Sequence, residues 1–300
     1  MKKRLKPILS IAILVLTTVL FVLFFAHNPQ YWTSLKETSP WTIIIVILLN
    51  VVMLAVLTGI SAASLALCGK RIPPRENFLL TAYSSLVNFF GPFQSGPGVR
   101  AVYLKAKHKV RIRDYTLATL VAVGLFAGFS ALFLVVGTLQ WWLTVLVLLG
   151  VALVCWQVIR LFLKRDKNPG ESTFALRGNV LPFMIALVFL QVCITVAWYY
   201  VELHAVNKTI SFKQAISYAG AANFALFVSI TPDAVGIREA FLVFSQRIHH
   251  VSTPTIISAN VIDRVAYVLF LGLLFLVIVT LHAQDKFQIK KGKPDAEQTE

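Results

Sequence analysis

The chain has 300 residues, of which 57% are apolar and 14% charged, with a mean hydropathy of +0.75. A soluble domain carries about a quarter charged residues, so this composition excludes an ordinary soluble enzyme or binding module and points to a polytopic, all-α integral membrane protein. The net charge of +15 would suggest nucleic acid in a soluble protein, but here the Lys and Arg collect in short loops between apolar spans, where they set orientation.

From the N-terminus, Met1 to Pro7 reads MKKRLKP, and residues 8–26 form an apolar run long enough to cross a hydrocarbon core ~30 Å thick. It is longer than a secretory h-region, and no small-x-small cleavage site precedes His27-Asn28-Pro29. It therefore reads as a retained span with its basic leader in the cytoplasm. Residues 41–67 return through the membrane to the loop Gly69-Lys70-Arg71-Ile72-Pro73-Pro74-Arg75. The next apolar piece, 78–93, is short for a crossing and carries Asn88, Gly91 and Pro92. Basic residues flank it on both sides, with Arg100, Lys105, Lys107, Lys109, Arg111 and Arg113 following. Both ends then belong in the cytoplasm, and the segment is expected to re-enter instead of spanning.

Residues 115–137, 143–163, 181–201 and 255–281 complete the expected spans, and a second irregular piece from Lys213 through Glu239 is expected to re-enter from outside. Trp198-Tyr199-Tyr200 reads as an interfacial aromatic belt. The expected architecture is a single membrane domain, residues 1–281, with about six transmembrane helices and two re-entrant helical segments. A disordered cytoplasmic tail is expected at 282–300. Counting both short pieces as spans gives the alternative of eight, which the positive-inside rule disfavours. Cys68, Cys155 and Cys193 lack metal-type spacing and read as packing residues. No cofactor is expected.

The two irregular pieces repeat one another. Ala82-Tyr83 and Asn88-Phe89 match Ser217-Tyr218 and Asn223-Phe224 with the same internal spacing, and Gly98-Val99-Arg100 matches Gly236-Ile237-Arg238. With one copy entering from each side, the halves, roughly 41–163 and 181–281, form an inverted repeat of the kind that places a site at its interface. Gly and Pro let the chain reverse and enter a helix, which puts Arg100 and Arg238 on a first turn where free N–H groups and the dipole favour an anion. An arginine there makes a phosphate or carboxylate site. Arg100 also reads as one of several cytoplasmic headgroup anchors. Asp263 and Arg264, preceded by Asn260 inside the last span, read either as a neutral interfacial pair or as cavity residues pairing with Glu239 or Arg238. Val123-Gly124, at the corresponding place in the first half, carries no charge, so the halves are not chemically equivalent.

These features resemble the flippase-like membrane family that includes the transmembrane region of lysylphosphatidylglycerol synthases. The likeness is carried in the second half by Thr231-Pro232, Gly236-Ile237-Arg238-Glu239 and Ser258-Ala259-Asn260 to Arg264. In the first half it is carried by Asn88, Pro92, Gly96-Pro97-Gly98 and Arg100-Ala101. The resemblance implies movement or shielding of phospholipid or isoprenoid-linked headgroups in a bacterial or archaeal plasma membrane. No aminoacyl-transferase domain follows Glu300, so lipid lysinylation is not expected.

The function expected is therefore that of a lipid translocator holding an anionic headgroup between the re-entrant segments. Arg100 and Arg238 would be anion donors, Asn88 and Asn223 would hold the broken backbone, and Glu239, Asp263 and Arg264 would tune a polar cavity. The alternatives are a non-catalytic partner of a lipid-modifying enzyme and an intramembrane lipid-processing enzyme. The sequence has no HExxH, Gly-x-Ser-x-Gly or metal-spaced His cluster, and His249-His250 is a loop pair without a third ligand; an enzyme is not expected.

Overall fold

The computed structural model describes residues 38–90, 95–136, 180–228 and 236–291, with isolated positions at 142, 146, 149, 150, 153, 157 and 234; side chains of the last helix are described to residue 281. The elements are α1 (Pro40–Leu67), α2 (Pro74–Phe90), α3 (Gly96–His108), α4 (Ile112–Val136), α5 (Val180–Val206), α6 (Phe212–Val228), α7 (Ile237–Phe244), α8 (Gln246–His249) and α9 (Thr253–Lys291). Among the described residues the secondary structure is helical throughout, as expected. The expected spans at 8–26 and 143–163 lie outside the described residues, apart from isolated positions in the second.

α1, α4, α5 and α9 are long and apolar enough to cross a membrane, with hydropathies of 3.0, 2.3, 2.5 and 2.5 over their most apolar stretches. No more than 33% of any of these stretches is buried, so most of their surface calls for lipid contact. Leu48, Val51 and Val52 on α1 and Leu273, Phe275 and Leu276 on α9 form such exposed faces.

Local sequence sets the helix ends. α1 stops where Gly69 adopts φ +68°, with Gly69 N–H donating to Ala66 O at 3.1 Å and Lys70 N–H to Leu65 O at 3.0 Å. This pair of bonds satisfies the last carbonyls of the helix. Pro74 then opens α2, where a missing N–H costs nothing. α9 does not stop near Leu281 as expected but runs on to Lys291. Its extension contains no Gly or Pro, and the first such residues are Gly292 and Pro294, so nothing in the chain breaks the helix earlier.

α2 and α3 form a hairpin closed at one end. In the first turn of α2, Glu76 accepts hydrogen bonds from Tyr103 Oη at 2.7 Å and lies 2.6 Å from His108 Nε2 and 3.0 Å from Lys107 Nζ. Arg75 Nη2 beside it donates to Leu281 O on α9 at 3.1 Å. α6 and α7 form a second excursion, closed where Gln214 Nε2 donates to His250 O at 3.1 Å, next to the start of α9. The first closure therefore meets α9 at Leu281, and the second lies beside its start at Thr253. α2 has 17 residues, a rise of ~25 Å, short of the ~30 Å hydrocarbon thickness.

Three apolar clusters hold the bundle. One joins α1, α4 and α5 through Leu65, Ala118 and Met184, a second joins α5, α6 and α9 through Leu203, Ala219 and Ile256, and a third joins α1, α2 and α9 through Leu54, Ala82 and Leu274. α6 meets α4 very closely because its contact face is Ala and Gly. A Cβ on Gly220 would lie 2.6 Å from Leu134 Cα and 2.7 Å from Ser130 O. Small residues at such crossings let helices pack without a hydrophobic driving force between them.

Two predictions follow from this geometry. Gly220→Ala should lower thermal stability in detergent by ~1–3 kcal/mol through overpacking against backbone, while Gly272→Ala, with open space around its Cβ, should be neutral or stabilising. For the α2–α3 clasp, partial burial by itself disfavours the Glu76 carboxylate, but hydrogen bonds from Tyr103, His108 and Lys107 outweigh it and bring the carboxyl from the usual 4.5 to about 2. The folded-state value lies below the unfolded one, so the stabilisation is complete above about pH 4.5 and is lost as pH falls toward 2. Melts of wild type and Glu76→Gln should therefore differ by a constant amount at neutral pH and converge on strong acidification.

Candidate functional site

α7 begins with Gly236-Ile237-Arg238-Glu239, and each position has a separate physical task. Gly236 takes φ +81° at the N-cap, a conformation that L side chains avoid. Glu239 Oε2 accepts the Gly236 N–H at 2.7 Å, which satisfies one of the orphan donors of the first turn. Between them, Arg238 points into the bundle and is only 7% exposed.

The guanidinium of Arg238 meets a polar face of α9. Asn260 and Asp263 are three residues apart and Asn260 and Arg264 four, so all three share one side of that helix. Arg238 Nη2 donates to Asn260 Oδ1 at 2.9 Å and to Asp263 Oδ2, while Nη1 reaches the Tyr199 hydroxyl of α5 at 3.4 Å. Asn260 is itself held by its amide, which donates to Ile256 O at 2.9 Å and lies 3.5 Å from the Tyr218 hydroxyl of α6. Arg264 Nη2 donates to Glu239 Oε1 at 3.3 Å, so α7 and α9 are cross-linked by two ion pairs of opposite polarity. One buried donor, Arg238 Nε, has no hydrogen-bond partner among the described residues, with Glu239 Oε1 at 3.9 Å.

Of the residues singled out in the sequence, Arg238, Glu239, Asp263 and Arg264 are brought together as one cluster. The pairing expected for Asp263 and Arg264 is the one found, and Asn260 joins it. Asn223 is buried on α6, and its amide donates to Thr195 Oγ1 at 2.9 Å, tying α6 to α5. In the first hairpin Asn88 Oδ1 accepts the Gly96 N–H at 2.6 Å, which does hold the start of α3. Arg100 is the fifth residue of α3 and so lies beyond its first turn, not on it as expected. Its Nε donates to Ser84 Oγ at 3.3 Å. Among the described residues no polar contact joins Arg100 to Arg238. Val123, on the exposed face of α4, contributes nothing to a site.

Residues 8–275 match the family described as the lysylphosphatidylglycerol synthase TM region. The chain belongs to this family. No curated protein matches it. As a member of the lysylphosphatidylglycerol synthase TM-region family with long apolar helices, it is an integral membrane protein related to lipid modification or transport. The matched stretch contains all of α1 to α8 and the polar face of α9, so the whole ion cluster lies within the family region.

Sequence reading missed three members of the site. Tyr199 was assigned to an interfacial belt but is 7% exposed and faces Arg238. Tyr218, noticed as half of a repeat, is fully buried and stacks edge-on against Tyr199 with ring centroids 5.3 Å apart, whereas its counterpart Tyr83 is 41% exposed. Glu202, 1% exposed on α5, accepts a hydrogen bond from Trp198 Nε1. It lies just past the expected span end at Val201, and an acid four residues after an interfacial Trp inside an uninterrupted apolar helix is the signal that marks it.

Removing one partner of a buried ion pair leaves the other uncompensated, at a cost of ~3–5 kcal/mol. Arg238→Met and Asp263→Leu should each destabilise the purified protein by about that much. The double variant, in which neither charge is stranded, should melt closer to wild type than either single change.

Proposed function

We propose that this membrane protein moves a phosphate-bearing, anionic lipid headgroup across the bilayer, taking it at Arg238 between two oppositely inserted helical hairpins. In this reading α2–α3 and α6–α7 are re-entrant segments of an inverted repeat, and the protein acts on the lipid's position without changing its covalent structure. The basic end, with Lys70, Arg71, Lys105 and Lys109, faces the cytoplasm, together with the N-terminus.

The observation that carries the reading is the state of the Arg238 guanidinium. Charged groups within a membrane domain are costly and tend to mark a substrate path. Arg238 stands on the first turn of α7, where the helix dipole also favours an anion. Its fork is held by Asp263 and Asn260, and its Nε is left over. A phosphate has the geometry to replace Asp263 across the fork and to engage Nε as well. Asp263 then acts as the stand-in that neutralises the arginine when no headgroup is bound, and Arg264 with Glu239 holds α7 in place during the exchange.

The test is translocation of a fluorescent phosphatidylglycerol in vesicles reconstituted with the full chain. Arg238→Lys keeps the charge and loses the planar fork, a loss of ~1.5–3 kcal/mol for a charged hydrogen bond. Movement should slow by about ten- to a hundredfold, with normal insertion, at a temperature where both proteins are folded. Wild-type rates in both Arg238→Lys and Arg238→Ala would overturn the proposal.

A further inference from the structure

Among the described residues, the cluster holds one more carboxyl group than it has arginines. Arg238 and Arg264 stand against Asp263, Glu239 and Glu202. Asp263 and Glu239 are each ion-paired with an arginine, whereas among the described residues no cation lies within ion-pair distance of Glu202. Its described hydrogen bond comes from a neutral indole, Trp198 Nε1. Its burial is nearly complete, and Asp263, Arg238 and Arg264 lie within its electrostatic reach.

Among the described residues, the groups facing this part of α5 offer no further counter-charge. α6 brings the Tyr218 hydroxyl, α9 brings Asp263, Arg264 and Tyr267, α7 brings Arg238 and Glu239, and α5 itself adds Tyr199 and His204. α1 carries no titratable side chain, and Arg113, Asp114 and Tyr115 of α4 lie in its first turn near the α1 C-terminus, away from Glu202. A carboxyl buried without a cation is better accommodated with a proton than ionised.

We propose that Glu202 is a proton-binding site coupled to Arg238, so that an anionic headgroup enters the cluster together with a proton. This rests on the headgroup reading above. Among the described residues, protonated Glu202 leaves two arginines against two carboxylates. With Glu202 ionised, the cluster carries one more negative charge when the headgroup arrives. The anion therefore binds the protonated form better, and by reciprocity the bound headgroup retains the proton more firmly. The O–H bond forms with a proton taken from bulk water and breaks when the headgroup leaves, so no other reactant is needed. The lipid's negative charge and the proton then move as a neutral pair.

The experiment titrates a fluorescent short-chain phosphatidylglycerol onto the full chain in zwitterionic nanodiscs at a series of pH values. Wild-type affinity should fall about tenfold per pH unit above the titration of Glu202, as one linked proton requires. Glu202→Gln should hold the acid-limit affinity at every pH. An infrared band of a buried carboxylic acid should be present in wild type, absent in Glu202→Gln, and persist to higher pH with lipid bound. Wild-type binding that ignores pH, an unchanged slope in Glu202→Gln, or no such band would overturn the coupling while leaving the headgroup reading intact. Failure of wild type to bind the lipid at any pH would sink the headgroup reading, and the coupling with it.

Discussion

The buried pairing of Arg238 with Asp263 is the constraint on which the second half of the molecule depends. α7 has eight residues, fewer than an isolated helix needs to be stable in water. What holds it is an ion pair to α9 at its first turn, a second pair from Glu239 to Arg264, and the burial of Leu242 against α6 and α9. In a low-dielectric surrounding neither arginine can be left without its carboxylate. The position of α7 and the ionisation of α9 are therefore one property and not two.

That coupling separates the two hairpins in their chemistry. The first is stitched near its tip by neutral groups, Asn88 to Gly96, and closed at its base by Glu76 with Tyr103, Lys107 and His108. A Cβ on Gly96 would fall 2.6 Å from Ser84 O, so α3 can approach α2 only as glycine. The second hairpin reverses the plan, with charges at the start of α7 and neutral hydrogen bonds at its base, Gln214 to His250 and Gln246 to Val251. A neutral tip is a structural joint. A charged tip holds its helix by ion pairs instead.

The aromatic residues on α5 and α6 support the charged tip from behind. Tyr199, Tyr218 and His249 form a continuous edge-to-face stack, with His249 Nε2 2.9 Å from Leu242 O on α7. Hydroxyls at Tyr199 and Tyr218 face Arg238 and Asn260, so the stack presents polar edges to the cluster and apolar faces to the core. The same side chains thus fill space and orient the guanidinium.

Much of this was legible before any coordinates. Apolar run length and the placement of Lys and Arg specify an all-helical membrane protein and locate α1, α4 and the starts of α5 and α9 to within a few residues, because crossing a bilayer demands a nearly uniform stretch of fixed length. Gly236, Arg238 and Glu239 also announced themselves, since a charge beside a backbone break in apolar sequence has few structural excuses. What the chain could not reveal alone is which charges meet. Arg238 lies 25 residues from Asp263 and 36 from Glu202 in sequence, and only the packing of α7 and α5 against α9 brings the three within reach. Side-chain direction was equally hidden for Tyr199, because α5 is an apolar helix whose composition is uniform around the circumference. In such helices hydrophobicity has no preferred face, and the neighbouring helices alone decide whether a residue looks into the protein or out into lipid.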